Sequence, residues 1–315
     1  MRSLIIGGSG FVGGYLADYL KECGYEVAVT KMPSELSKQT ESTNIQVCGL
    51  DILDQKEVEE ILRKIKPDII FHLAAQSSVA VSWKNPELTI DVNIKGCIHV
   101  LEAVRRQDKR IRVLLIGSGE EYGKILPQEI PVSEGQSIRP GNIYAATKAC
   151  QNMIGSIYAQ AFGMDVVMVR AFNHIGPRQA PIFVVSDFCK QAAEIEAGMR
   201  EAVIKTGNLD VKRDFTDVRD VVRAYMLLAE KGAAGETYNV GSGHAVSIGE
   251  ILQVILKKSP AGIRIEADRQ KFRPSDVPVI EADIGKLRKI TGWMPRIPLE
   301  QAIQDTLDSW RGTVR

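Results

Sequence analysis

Apolar positions in the first half of the chain follow two rhythms. Leu4-Ile5-Ile6 is a short unbroken run, the mark of a buried strand. Phe11, Val12, Tyr15, Leu16, Tyr19 and Leu20 then recur at helical spacing up to Gly24, which supplies the left-handed residue a helix end favours. Strands are predicted over residues 26–30 and 45–48. Asp54 and Glu57 are spaced as a capping box, opening a helix that carries Val58, Ile61, Leu62 and Ile65 and that Pro67 ends. A strand over 68–72, a helix over about 91–106, a strand over 113–116, a helix from near Tyr144 and a strand over 166–169 follow. Strand alternating with helix predicts a parallel sheet covered on both faces.

Beyond Arg170 the rhythm loosens, and seven of the 13 prolines lie there. Helices are predicted over 184–197, 218–230, 247–257 and 299–311, separated by long turns. The expected α/β fold is a Rossmann-type doubly wound parallel sheet with a smaller, mixed α/β C-terminal substrate domain. The dinucleotide-binding domain spans 1–170, with a segment of about 215–245 returning to it. Residues 171–315 form mainly the second, discontinuous domain. We find no internal repeat and no low-complexity tract.

The 315 residues carry 40 Lys+Arg against 39 Asp+Glu, so no net field favours nucleic acid or an anionic membrane. Five scattered cysteines without a CxxC, and four isolated histidines, argue against a disulfide framework or a metal site. Nothing reads as a signal peptide or a membrane span, so a reducing, cytoplasmic setting is expected.

Two segments carry candidate chemistry. Gly7-Gly8-Ser9-Gly10-Phe11-Val12-Gly13 joins the first strand to the first helix. Glycines there let the backbone approach a pyrophosphate, and the helix N-terminus offers free N–H groups. Gly7, Gly10, Phe11, Val12 and Gly13 are the candidate contacts. The second strand ends Val29-Thr30-Lys31, with no carboxylate to repel a 2′-phosphate. Lys31 could pair with one, which favours NADPH without excluding NADH. Asp51, with Ile52 beside it, fits an adenine contact. The other segment is Tyr144-Ala145-Ala146-Thr147-Lys148, whose i, i+4 spacing puts tyrosine and lysine on one helix face. An ammonium there is expected to lower the tyrosine pKa so that its hydroxyl exchanges a proton with a carbonyl or alcohol. Ser118 follows a strand directly and belongs at the ligand-binding edge of the sheet.

At these residues the chain resembles the extended short-chain dehydrogenase/reductases that modify nucleotide sugars. Leu73-Ala74-Ala75-Gln76, Asp91-Val92-Asn93, Arg213-Asp214-Phe215 and Asn239-Val240-Gly241 add to the likeness. The GDP-mannose branch is the most similar, through Asn173-His174-Ile175-Gly176-Pro177-Arg178 and Arg273-Pro274-Ser275-Asp276-Val277. The resemblance implies that Tyr144 donates a proton and that Lys148 holds the nicotinamide ribose and tunes Tyr144. It implies that Ser118 bonds the reacting oxygen and that Asn93 supports the lysine through water. Leu73, Ala74 and Ala75 join the cofactor contacts. Asn173, Arg178, Arg213, Arg273 and Asp276 fall where the branch grips nucleotide and diphosphate, and planar guanidinium forks suit a diphosphate. Gln76, Ser77 and Ser82 are expected to line the sugar pocket.

Within this branch the likeness implies an NAD(P)H-dependent reduction of the C4 ketone of GDP-4-keto-6-deoxy-D-mannose, giving a GDP-6-deoxyhexose such as GDP-D-rhamnose. The alternatives are 4,6-dehydration of GDP-mannose and 4-epimerisation. A non-catalytic relative would be expected to lack the tyrosine or the lysine. Glu120 sits where a dehydratase keeps its base. Against a dehydratase, its Gly-x-Thr-Gly-Gln-Asp-Gly loop is replaced here, its arginine-rich segment reads Met32-Pro33-Ser34-Glu35, and its Gln-Ser-His reads Gln76-Ser77-Ser78. Apolar residues beyond one core stripe (Ile94, Ile98, Leu101; Met153, Ile154, Ile157, Tyr158) are expected to pair two copies as a homodimer.

Overall fold

The computed structural model describes residues 1–36, 45–107, 110–272 and 277–314. Its first part runs β1 (Arg2–Ile6), α1 (Phe11–Glu22), β2 (Glu26–Lys31), β3 (Gln46–Gly49), α2 (Gln55–Ile65), β4 (Ile69–His72), α3 (Val79–Lys84), α4 (Pro86–Ile90), α5 (Gly96–Arg105), β5 (Arg112–Ser118), α6 (Ile143–Phe162) and β6 (Val166–Ala171). Then come β7 (Asn173–Ile175), α7 (Val184–Glu196), β8 (Val203–Thr206), β9 (Lys212–Asp217), α8 (Val218–Lys231), β10 (Thr237–Val240), β11 (Ala245–Ser247), α9 (Ile248–Lys258), β12 (Arg264–Ala267), β13 (Val279–Ile280), α10 (Gly285–Thr291) and α11 (Leu299–Thr313).

Seven strands form one sheet in the order β10-β6-β5-β4-β1-β2-β3, every neighbouring pair parallel. Parallel strands need crossovers, and the helices these supply cover both faces. On one face Leu16 and Leu20 of α1 pack with Val221, Tyr225 and Leu228 of α8. On the other, Val58 and Leu62 of α2 meet Val100 and Leu101 of α5. A smaller lobe gathers Phe188 and Ala192 of α7, Ile251 and Leu252 of α9, and Ile303 and Leu307 of α11. Its strands are short and mixed: β9 pairs antiparallel with β11 and parallel with β13 and β7.

Two local features depart from the sequence expectation. Asp54 caps α2 by accepting the N–H groups of Lys56 and Glu57, but the reciprocal half of the capping box is not made. Glu57 reaches past Asp54 and accepts the Asp51 N–H at 2.9 Å, because the turn closed by Asp54 N–H on the Asp51 carbonyl brings that donor within reach. The helix predicted over 91–106 begins earlier, where Asn85 accepts the Leu88 N–H and Pro86 takes a position that needs no donor. Between α4 and α5 the chain runs through a π-helical turn, Asp91–Lys95, which carries the buried Asn93. Such turns often mark functional sites.

Candidate active site

The carboxyl ends of β1, β4 and β5 define the site, since ligands of open parallel sheets bind there. After β1 the chain turns at Gly7 with φ +93°, a conformation that favours glycine. A Cβ on Gly7 would sit 2.7 Å from the Ala74 nitrogen, and one on Gly13 2.6 Å from the Gly7 carbonyl oxygen. Gly10, by contrast, is exposed, precedes α1 and places no side-chain cap on it. The result is a bare helix N-terminus behind a side-chain-free turn, a cradle that fits a dinucleotide pyrophosphate. Phe11 stacks on His174 at 6.0 Å, and Val12 is half-buried beside it. Leu73 and Ala74 both give their N–H to the Ile6 carbonyl, which fixes Leu73-Ala74-Ala75 against the loop.

At the adenosine end, Ile52 is buried while Asp51 is half-buried and uses one carboxylate oxygen to accept the Leu53 N–H. Lys31 is 7 % exposed, so it is not a solvated loop lysine. Glu35, which the sequence reading passed over, accepts the Ser9 hydroxyl at 2.7 Å and brings a carboxylate to the edge of the glycine loop.

The catalytic candidates meet between β5 and α6. Asn142 caps α6 by accepting the Ala145 N–H at 2.8 Å. One turn separates Tyr144 from Lys148, and the Ser118 hydroxyl hydrogen-bonds Tyr144. The Tyr144 pKa is raised, chiefly by burial, against the lowering effect of the Ser118 bond; the charges of Glu120 and Glu121 raise it further. This corrects the expectation of a tyrosine lowered by its lysine. Lys148 is turned to the Ile116 carbonyl at 2.7 Å and to Gln151 Oε1 at 3.0 Å, and burial brings its pKa down to about 8. Asn93 accepts the Gln76 N–H at 2.8 Å and donates to the Gln76 carbonyl and to Thr147 Oγ1. It thereby ties the β4 loop to α6.

Ser118 closes β5 and opens a 3-10 turn, Gly119–Tyr122. Its Oγ accepts the Glu120 N–H at 3.2 Å, and its own N–H goes to Glu121 Oε1 at 2.8 Å. Glu120 is half-buried and accepts from Asn142 Nδ2 at 3.3 Å. Ser118, Glu120, Asn173 and Arg213 line one small cleft, open to solvent. Arg213 is held there by giving Nη1 to the carbonyls of Lys212 and Val277.

Other expected residues lie apart from the cleft lining. Arg178, at φ +70°, is exposed, lies over the Tyr15 ring at 4.3 Å and comes within 4.0 Å of Asp18. Gln76 spends its amide on the backbone of Ser78 and on Thr89 Oγ1. Ser77 is exposed, and Ser82 is fully buried with its hydroxyl given to the Val79 carbonyl. Arg273 and Asp276 lie outside the described residues. His72, at the end of β4, is fully buried with neither ring nitrogen hydrogen-bonded, and burial pushes its pKa down to about 3.

Thr147, Gln151, Glu121, Asn152 and Arg170 were missed in the sequence. Gln151 and Asn152 stand at i+3 and i+4 from Lys148, a spacing that could have flagged them. Glu121 gave no signal beyond its neighbour. Among the described residues no cluster of three or more His, Cys, Asp or Glu could hold a metal ion, all five cysteines are free, and no helix is long and apolar enough to cross a membrane.

The chain is similar over its whole length to several known proteins. The GDP-6-deoxy-D-mannose reductase of Pseudomonas aeruginosa is 29 % identical over 314 residues, covering 100 % of this chain and 98 % of the relative. A GDP-mannose 4,6-dehydratase of Vibrio cholerae is 30 % identical and covers 98 % and 92 %. Among solved structures, the Pseudomonas aeruginosa protein called RMD, complexed with NADPH, superimposes with a TM-score of 0.86 at 28 % identity, covering 99 % of each chain. A UDP-glucose 4-epimerase of Thermotoga maritima, solved with UDP-glucose, gives 0.90 at 28 % identity and covers both chains fully. From residue 4 to residue 306 the chain matches the GDP-mannose 4,6 dehydratase family, and it belongs to that family.

Proposed function

We propose that the protein is an NAD(P)H-dependent oxidoreductase that reduces the C4 ketone of GDP-4-keto-6-deoxy-D-mannose. The observation that carries this reading is the meeting of Ser118, Tyr144 and Lys148 beside a bare helix N-terminus, in a chain that aligns end to end with a GDP-6-deoxy-D-mannose reductase. When bound, the nicotinamide supplies a hydride to C4. Gly7, Gly10 and Gly13 leave room for its pyrophosphate. Tyr144 gives its phenolic proton to the ketone oxygen, so the C=O π pair becomes the new O–H bond as C4 gains the hydride. Ser118 steadies the developing alkoxide: its Oγ accepts from Glu120 N–H, and the proton it gives to Tyr144 in the resting site turns to the reacting oxygen. Burial of Tyr144 keeps that proton on the ring until an acceptor arrives. Lys148, held in this structure by Ile116 and Gln151, would hold the nicotinamide ribose. Asn93 holds the lysine's helix in place through Thr147.

Arg213 and Asn173, in the cleft, grip the diphosphate and nucleotide, a role that the resemblance also gives to Arg178, Arg273 and Asp276. The product is a GDP-6-deoxyhexose such as GDP-D-rhamnose. Two copies pair through α5 and α6: Met153 and Ile157 are exposed one turn apart on α6, while Leu101 belongs to the core. The setting is cytoplasmic.

A second reading, 4,6-dehydration of GDP-mannose, is favoured by Glu120, whose carboxylate stands in the same cleft as Ser118. One assay separates them. We expect NADPH oxidation on adding the 4-keto sugar and no keto sugar from GDP-mannose. Dehydration of GDP-mannose by the wild type, lost in Glu120→Gln, would install the second reading instead. Light scattering at micromolar concentration should give twice the chain mass; a monomer would remove the dimer.

A further inference from the structure

We propose that Glu121 is a positioning residue for the reduction: buried behind the sheet edge, it fixes the backbone of Ser118 and so aims the Ser118 hydroxyl at the reacting oxygen. The inference rests on the role given to Ser118 above.

Glu121 is fully buried, and the bonds it accepts converge from three elements. Its Oε1 accepts the Ser118 N–H at 2.8 Å. Asn152 of α6 donates Nδ2 to Oε1 at 2.9 Å and to Oε2 at 3.0 Å. Arg170 of β6 donates Nε to Oε2 at 3.0 Å. Arg170 is itself pinned, giving Nη1 to the Tyr122 hydroxyl at 3.0 Å and to the Glu134 carbonyl at 3.2 Å; the Tyr122 hydroxyl passes to Asn239 Oδ1 at 2.7 Å. One carboxylate thus locks the end of β5 to the catalytic helix and to the next strand.

Stability alone does not account for it. A buried ion pair is a weak stabilising device, often matched by apolar residues of equal volume. The chain also gives up a side chain to admit this carboxylate: a Cβ on Gly117 would lie 2.2 Å from Glu121 Oε1 and 2.4 Å from Asn152 Nδ2. The space cleared lies directly before Ser118, whose Oγ is then held by Glu120 N–H. Displacements near 1 Å at a reacting group can cost ~10²-fold in rate, so the anchoring of this hydroxyl matters to turnover more than to binding.

The groups facing Glu121 also give it a pH signature. Arg170 faces its carboxylate, Tyr144 and Lys148 feel its charge, and Glu120 and Tyr122 flank it in the chain. Its negative charge raises the pKa of both Tyr144 and Lys148. Replacing it by a neutral amide removes that charge, which eases proton loss from Tyr144.

The test compares wild type and Glu121→Gln in steady-state reduction of the 4-keto sugar by NADPH, with kcat followed against pH and melting followed in parallel. We expect kcat to fall about tenfold or more, the NADPH KM to stay within about twofold, and the basic limb of the kcat profile to move to lower pH. A kcat within about twofold of wild type with an unmoved limb, even alongside a lower Tm, would overturn the proposal. Should Glu121→Gln fail to fold, Asn152→Ala decides. A kcat loss of about threefold or more at unchanged NADPH KM supports the proposal, and an unchanged kcat overturns it. If the wild type instead dehydrates GDP-mannose, the reductase reading fails, and the same comparison on that reaction still decides the role of Glu121.

Discussion

Two glycine-rich corners sit at the same edge of the sheet and solve opposite problems. Gly7–Gly13 follows β1, and Gly117–Gly123 starts in the last two residues of β5. In the first, glycines at 7 and 13 clear backbone against backbone, and α1 is left uncapped. In the second, Gly117 clears room for the chain's own carboxylate, and the turn is closed on itself by Ser118 and Glu121. An uncapped helix start awaits an anion from outside. A capped one carries its anion with it and spends it on holding a side chain still. Similar composition therefore marks a binding device in one place and a positioning device in the other, and the partners of the N–H groups tell them apart.

Substitutions can separate the two corners. The largest effect is expected at the tyrosine that the second corner serves. Tyr144→Phe should bind NADPH as wild type does in a fluorescence titration yet lose ~10²–10⁴ in kcat, the usual share of a positioned proton donor. Near-normal turnover would take Tyr144 out of the mechanism.

Next comes a matched pair of alanines. Gly13→Ala puts a methyl 2.6 Å from the Gly7 oxygen, and the strain of overpacking should weaken cofactor binding by roughly 1–3 kcal/mol. Gly117→Ala should instead displace Glu121, lowering kcat while the NADPH Kd stays within about twofold. The comparison fails if both alanines show the same pattern in Kd and kcat. A smaller effect is expected beyond the first corner. Lys31→Asp should move the kcat/KM ratio toward NADH by roughly tenfold, since a carboxylate there repels a 2′-phosphate. The carboxylate of Glu35, already at Ser9, limits the shift. An unchanged ratio would remove Lys31 from cofactor choice.

Features with a short period or an unusual residue were legible beforehand. The strand–loop–helix start was written in Leu4 to Leu20, and the pairing of Tyr144 with Lys148 in their i, i+4 spacing. What stayed hidden depended on contacts distant in the chain. Asp54 and Glu57 have the spacing of a capping box, yet the Asp51 N–H drew the glutamate away. The lysine was expected to act on Tyr144, but the Ile116 carbonyl, 32 residues earlier, holds it. Glu121 stands beside a better-known candidate, and only the arrival of Asn152 and Arg170 from α6 and β6 shows its part. The small lobe was expected to be mixed α/β, but its strands were not placed; β7, β11 and β13 have two or three residues each, too few for a period of two to register.

The path of the chain through the large sheet also bears on how the molecule is made. The outermost strand, β10, pairs with β6 but is separated from it by the first four elements of the small lobe (β7, α7, β8 and β9) and by α8. The apolar side of α1, with Leu16 and Leu20, waits for Val221, Tyr225 and Leu228 to cover it. During synthesis the first 170 residues therefore emerge with one face of their sheet bare, and the fold cannot close until about residue 240 has left the ribosome, roughly 4–14 seconds later at ~5–20 residues per second. Contacts that join residue 16 to residue 228 are slow to form because a long loop must close first. Translation speed across residues 171–240 thus sets how long a sticky intermediate lives, and slow codons there would favour aggregation over assembly.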